Sequence, residues 1–400
     1  MISDSARKAF DAVVDRRNAS AVKWNGSGMR VAASVADMEF AGPEPVLTAV
    51  AERVRFGALG YTTVSPSSYG AIGDWYRDIH KISVNESNVV QFPFGPKGAL
   101  RVVGRSLLKS DDAVVVPTPT YRDLIRVVEA AGATCIEWPL IANHGGMELD
   151  VAALEKIVET HQPTAMLICN PNNPTGIAFK TENLRSALAV LCGCQNFRLV
   201  ISDEVHGDLV YSHVEHSSIL RHVLPAKVAV VAISSIGKTF NLSGLNTSYC
   251  IASPAGCYNS IRDKLRAEGL YEGSLIGDVA TTAALSNGRQ WRDDLVNYLQ
   301  ESAQLTVRTV ETEVAGMKVL VPTASFLLCV DYSDTCIPTE QVLRSGFEEA
   351  GISVQYASRF GSKNGRFFRY NFATSHAQLL SDLEYLVQTV KRLEDAAQSL

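Results

Sequence analysis

The chain has no apolar run that reaches the roughly 18 uninterrupted residues a membrane helix needs. Its first residues, Met1-Ile2-Ser3-Asp4-Ser5-Ala6-Arg7-Lys8, lack the apolar stretch of a secretory signal. Basic residues are not in excess: 37 Lys and Arg stand against 42 Asp and Glu, for a net charge of −5. Gripping a phosphate backbone takes a concentrated basic surface, so nucleic-acid binding is excluded as the main activity. There is no internal repeat, no low-complexity tract and no charge run of five or more, which leaves little room for tails or linkers. Cysteine pairs at zinc spacing are missing too. Cys192-Gly193-Cys194 is too tight, and Cys169 and Cys329 lie in apolar stretches where a free thiol acts as a small hydrophobe. These absences leave a soluble, cytoplasmic enzyme or binding protein with reduced thiols.

What is present is an α/β pattern. At 400 residues with 46% hydrophobic, the chain has room for one large domain and a smaller one. Short apolar, β-branched runs at Ala113–Val116, Thr164–Cys169, Leu199–Ser202 and Val228–Ser234 read as strands buried on both faces of a mostly parallel sheet. Amphipathic stretches at Tyr121–Ala131 and Lys180–Leu191 suit crossover helices. Beyond about residue 285 the texture changes to α+β. Helices are expected over Trp291–Val307 and Leu379–Leu393, strands over Met317–Val321, Phe326–Val330 and Phe367–Phe372, and a loop over Gly361–Gly365.

In open α/β sheets ligands gather at the carboxyl ends of strands. Here those ends carry Pro117-Thr118-Pro119-Thr120-Tyr121, Asn170 to Gly176, Asp203-Glu204-Val205-His206 and Ser235-Ile236-Gly237-Lys238. Turn formation explains the Pro and Gly but not the Asp, His and Lys. A lysine desolvated at such an end has a lowered pKa and can serve as nucleophile or base. Gly237-Lys238-Thr239 is not a P-loop, because Ala232 stands where that motif needs glycine. Asp203, His206, His213 and His216 match no metal-ligand spacing, so no metal is expected.

Taken in order, a Gly-rich turn, Tyr121, Asn-Pro-Thr-Gly, Asp203, Lys238 and Arg369 resemble the layout of fold-type I pyridoxal-phosphate enzymes of the aspartate-aminotransferase type. The chain further resembles their cystathionine β-lyase or cysteine-S-conjugate β-lyase branch. The matching residues are Lys23-Trp24-Asn25, Val35-Ala36-Asp37-Met38-Glu39-Phe40, Gly60-Tyr61-Thr62, Ser202 to Asp208 and Lys238 to Leu245. The resemblance implies a large cofactor domain at 51–285, a small domain at 286–400, and an N-terminal segment, 1–50, packing with the small one. It also implies a homodimer sharing its active sites, acting on an amino-acid substrate.

Carried over position by position, the resemblance makes Lys238 the Schiff-base lysine and the base for the Cα proton. Asp203 pairs with the pyridine nitrogen and keeps the ring an electron sink. Asn173 bonds the ring hydroxyl, with His206 where many relatives have tyrosine, and Tyr121 stacks on the ring. A cis Asn173–Pro174 bond is implied as well. Gly95, Pro96 and Lys97, before a helix starting near Ala99, and the hydroxyl of Ser235 receive the phosphate. Tyr61 reaches it from the neighbouring subunit. Arg369 clamps the substrate α-carboxylate.

The chain departs from the branch pattern in three places. Phe94-Gly95-Pro96-Lys97 replaces Pro-Gly-Val-Val, so one amide donor is lost and a charge gained. Gly237 stands where a serine is usual. Ile177 and Ser34 replace an arginine and a tryptophan. Carbon–sulfur β-elimination on a cysteine S-conjugate or cystathionine-like thioether is the expected reaction. Transamination, and decarboxylation coupled to deamination of a sulfur-linked amino acid, share its first steps and stay open. The substrate side chain is expected to be met by loops including Ser34–Phe40 and Ser358–Lys363.

Overall fold

A computed structural model describes every residue except 1, 13, 27, 144–145, 363–364 and 399–400. Lys363, at the end of one expected pocket loop, and part of the Gly361–Gly365 loop therefore lie outside the described residues.

Seven strands form the main sheet: β1 (Val89–Phe92), β2 (Ala113–Thr118), β3 (Thr134–Pro139), β4 (Ala165–Cys169), β5 (Leu199–Asp203), β6 (Ala229–Ser234) and β7 (Ser248–Ser253). Their spatial order is β1-β7-β6-β5-β4-β2-β3, parallel except for β7, which runs antiparallel to β1 and β6. The inner strands are continuous apolar runs because helices cover both faces; Val114, Val115, Val116, Met166 and Leu167 are fully buried. Each such side chain contributes about 1.5–3 kcal/mol by leaving water. β2 runs on past the expected stop at Pro117. Its pairing to β4 is confined to Val114 and Val115, so Pro117 is left opposite Trp138 of β3, beyond that ladder.

A second, antiparallel sheet is ordered β8-β9-β11-β10, from β8 (Lys318–Leu320), β9 (Leu327–Asp331), β10 (Gln355–Tyr356) and β11 (Phe367–Asn371). The N-terminal pair Val31–Ala32 joins Ile352–Ser353 in parallel, so the start of the chain is tied to this late region.

The helices include α1 (Glu44–Arg55), α2 (Pro66–Trp75), α3 (Pro96–Leu107), α4 (Arg122–Ala130), the one-turn α5 (Ile236–Thr239), α6 (Arg289–Glu313) and α7 (His376–Gln398). α3 begins at Pro96, three residues before the expected start. Proline fits the first helical position because its missing N–H has no partner there anyway. α3 lies against α4 at Gly104, where an added Cβ would meet Val127 Cγ1 at 2.2 Å. α6 and α7 both outrun their expected bounds. Their end turns are polar, which hides them from a reading based on apolar spacing. Among the described residues no helix is long and apolar enough to cross a membrane.

Candidate active site

Lys238 sits on α5, just past the end of β6. Ser235 caps that turn, accepting from the Gly237 amide at 2.9 Å and donating to the Thr247 carbonyl at 2.7 Å. The turn is anchored from behind, where Thr239 Oγ1 donates to the buried Asp208 at 2.7 Å. Asp208 also accepts from Trp75 Nε1 and pairs with His80 Nε2, both at 2.8 Å, which holds it ionised far below the usual carboxylate range. Lys238 Nζ donates to the Ala36 carbonyl at 2.7 Å. Burial lowers its pKa to about 8; Asp37 and Asp203 pull upward while Arg369 pushes down.

Asp203 closes β5 one strand away, and the Val205 amide reaches its Oδ1 at 3.4 Å. Burial raises its pKa to about 6, against the Val205 bond and the Lys238 charge, and among the described residues no cation stands within ion-pair distance of it. His206 precedes a short 3₁₀ turn, and its Nδ1 lies 3.0 Å from Ser325 Oγ. Burial, with Lys238 and Arg369 adding to it, drops its pKa to about 3 and keeps the ring neutral. Tyr121, at the head of α4, has its phenol pushed up by burial and then by Asp123. Next to it, the Thr120 amide donates to the Phe360 carbonyl at 3.0 Å, which draws the late loop onto the end of β2.

Arg369, on β11, is only 5% exposed. It donates through Nη1 to Asn173 Oδ1 at 2.9 Å and through Nη2 to the Ser34 carbonyl, and it lies over the Phe360 ring. Its Nε has no hydrogen-bond partner, and among the described residues no carboxylate lies within ion-pair distance of the guanidinium. Burial lowers its pKa to about 10. A buried cation with a free donor and no anion fits an incoming carboxylate.

Asn173 is turned toward Arg369 by a tight loop. Asn172 closes it, its Oδ1 taking Thr175 Oγ1 at 2.8 Å and its carbonyl taking the Gly176 amide at 2.8 Å. The expected cis bond at Asn173–Pro174 is not found; the cis bond of this stretch is Asn170–Pro171. The Asn172-closed turn already directs Asn173 inward, so Asn173–Pro174 has no need of the cis form. Gly176 has φ +71, and a Cβ there would meet the Leu327 carbonyl at 2.1 Å. Thr323 and Ala324 amides both donate to its carbonyl, so this glycine joins the loop after β4 to the segment between β8 and β9.

The remaining wall is a cleft of about 390 Å³ bordered by Gly95, Lys97, Arg101, Ser235, Lys238 and Asn246. Lys97 Nζ stands 3.3 Å from Asp123. Tyr61 is fully exposed in the single chain. Among the described residues no group of three or more His, Cys, Asp or Glu could hold a metal.

The model of the family described as aminotransferase class I and II matches residues 39–388. This chain belongs to that family. Its members are pyridoxal-phosphate enzymes, and pyridoxal phosphate is the cofactor of this one. Cystathionine beta-lyase PatB of Bacillus subtilis (strain 168) is 28% identical over 383 residues, covering 94% of this chain and 97% of that protein. Aspartate aminotransferase of Pyrococcus horikoshii is 23% identical over 371 residues, covering 92% and 90%. The crystal structure of the PLP-bound C-S lyase from Staphylococcus hominis is 26% identical with TM-score 0.85, covering 95% of this chain and 98% of that one.

Ser34 and Ala36, in the loop expected to meet the substrate, join the site in a way the sequence did not specify. Ala36 and Ser34 act through backbone carbonyls, which any residue would offer. Ser325 reaches His206 from a left-handed conformation, φ +69, in an otherwise ordinary Ala-Ser-Phe stretch. At Gly237, where a serine is usual, a Cβ would meet Ser235 Oγ at 3.1 Å and Ser243 Oγ at 3.2 Å. Two neighbouring hydroxyls therefore border the space of the missing one. Ile177 is simply buried.

Proposed function

We propose that this chain is a pyridoxal-phosphate-dependent carbon–sulfur β-lyase acting on a cysteine S-conjugate or a cystathionine-like thioether. The observation that carries the amino-acid part is the pairing of Lys238 with Arg369 in one buried site. One is an amine whose pKa burial has brought near neutrality; the other is a cation with a free donor and no counter-ion. The lyase part is supported by the names of the Bacillus and Staphylococcus relatives. Pyridoxal phosphate, when bound, supplies the electron sink that lets the bond to the Cα proton break.

Each residue has a task in this reading. Asp203, buried at the end of β5, would hold the pyridine nitrogen as a charge-assisted acceptor. Tyr121 would stack on the ring, Asn173 and His206 would meet the ring hydroxyl, and Gly95, Pro96, Lys97 and Ser235 would receive the phosphate. Lys238 would hold the cofactor, and its buried amine, with its lowered pKa, would be the base for the Cα proton. Arg369, with Asn173 beside it, would bind and orient the substrate α-carboxylate, leaving the Cα proton to Lys238. Transamination would use the same groups, returning the proton to a different carbon, and the aminotransferase relative supports it.

Residues 1–50, 51–285 and 286–400 form the three parts of this enzyme. Val54, Phe56 and Leu59 are exposed in the same stretch as Tyr61, which supports a homodimer with Tyr61 reaching the partner's phosphate. All eight cysteines are free, in keeping with a cytoplasmic setting.

Product analysis after incubation with an S-alkyl cysteine tests the reaction. Pyruvate, ammonia and a thiol are expected. A keto acid retaining the side chain would replace this reading with transamination, and carbon dioxide would replace it with decarboxylation.

A further inference from the structure

Ser243, Asn246 and Thr247 border the phosphate end of the cleft with neutral groups, but the first turn of α3 offers it few backbone donors. Pro96 has no N–H, and the amides of Gly98 and Ala99 both return to the Gly95 carbonyl, at 2.9 and 3.2 Å. Of that first helical turn only the Lys97 amide is left. The Ser235 hydroxyl is committed as well, since its proton goes to the Thr247 carbonyl. A phosphate monoester brings a charge of about −1.5 to −2 at neutral pH. Its counter-charge must come from side chains.

The cations that border this cleft are Lys97, Arg101 and Lys238. Lys238 is set aside, because its amine is the group that joins the cofactor aldehyde. Lys97 and Arg101 stand one turn apart on the same face of α3. Both are half exposed and loosely held, with Lys97 Nζ 3.3 Å from Asp123 Oδ2 and Arg101 Nη2 3.5 Å from Asp123 Oδ1. Arg126 Nη1 lies 3.7 Å from the same carboxylate, which is 5% exposed. Three cations share one anion, so positive charge is left over at the rim. Asp123 is also the residue that neighbours Tyr121, which links the phosphate end to the ring-facing tyrosine.

We propose that Lys97 and Arg101 form an anion clamp for the cofactor phosphate, with Asp123 as the positioning residue that keeps both at the rim. Charge here takes over from the amide cup that Pro96 removes. The proposal rests on the reading that Lys238 and this cleft hold the cofactor.

The test compares two aldehydes, pyridoxal phosphate and pyridoxal, titrated into the cofactor-free full-length protein. Binding is followed by absorbance, and borohydride reduction with peptide mapping locates the attached lysine. Lys97→Ala and Arg101→Ala are each expected to weaken pyridoxal phosphate by about tenfold or more and pyridoxal by less than about twofold. The double variant loses most of the preference for the phosphorylated form, and added salt no longer erodes what remains. Arg126→Ala, which shares Asp123 but does not border the cleft, keeps the wild-type preference. An unchanged preference in the double variant overturns the clamp, as do equal losses for both aldehydes. Failure of borohydride to fix either aldehyde on Lys238 instead overturns the reading of the site.

Discussion

The wall that faces the cofactor and the wall that faces the substrate are assembled differently. Tyr121, Asn173, Asp203 and Lys238 follow β2, β4, β5 and β6, neighbours in one sheet whose parallel register carries every chain end to the same edge. Opposite them, Arg369 meets Ser34 across 335 residues and Asn173 across 196. The first wall is held by a continuous hydrogen-bond ladder. The second depends on the N-terminal pair at Val31–Ala32, the second sheet and Gly176 all docking together. In the proposed reading, the cofactor side rests on this ladder and the substrate side on long-range packing.

Substitutions can separate the two walls. The largest effect is expected for Lys238→Ala, which removes the base and the cofactor attachment together. Turnover should fall by about 10⁴-fold, and borohydride should no longer fix the cofactor to the chain. Arg369→Ala should cost about 10²-fold in kcat/KM for amino acids while leaving the cofactor's absorbance in place. Loss of that absorbance would show that the walls are not separable. Gly176→Ala forces a Cβ into the Leu327 carbonyl at a left-handed position, and denaturant titration should show a loss of about 2 kcal/mol or more. If stability is unchanged, the loop after β4 and the segment between β8 and β9 are not joined through this contact.

The smallest effect concerns pH. The Lys238 amine is protonated below about 8 and free above it, so its reductive methylation in the cofactor-free protein should rise through about pH 8 rather than the ordinary 10.5. Asp37 pulls that value up, so Asp37→Asn should move the midpoint to lower pH. Arg369 pushes it down, so Arg369→Gln should move it higher. Mass spectrometry of the labelled peptide measures both.

The cofactor wall was legible because its physics is local. Strands buried on both faces must be unbroken apolar runs, and charged residues directly after them stand out. Elsewhere the structure departs from the sequence pattern for both local and distant reasons. Pro117 stays within β2 because the pairing to β4 has already ended. The start of α3 moved to Pro96 because proline costs nothing at a first helical position. The cis bond lies at Asn170–Pro171, and Asn172 closes the turn that aims Asn173. Asp123 drew no attention in the sequence, since its cations Lys97 and Arg101 stand on another helix.

The order of the strand ends, and with it the convergence of Tyr121, Asn173, Asp203 and Lys238, follows from the sequence alone. Periodicity and turn residues act over a few positions, and parallel connection rules do the rest. Which groups complete the site was decided only in three dimensions. The Ala36 and Ser34 carbonyls, Ser325 and the shared carboxylate of Asp123 gain their roles from burial between segments far apart in the chain. There, removal of water makes an unpaired donor or charge costly, so most find a partner whatever their place in the sequence, and the open Nε of Arg369 stands out.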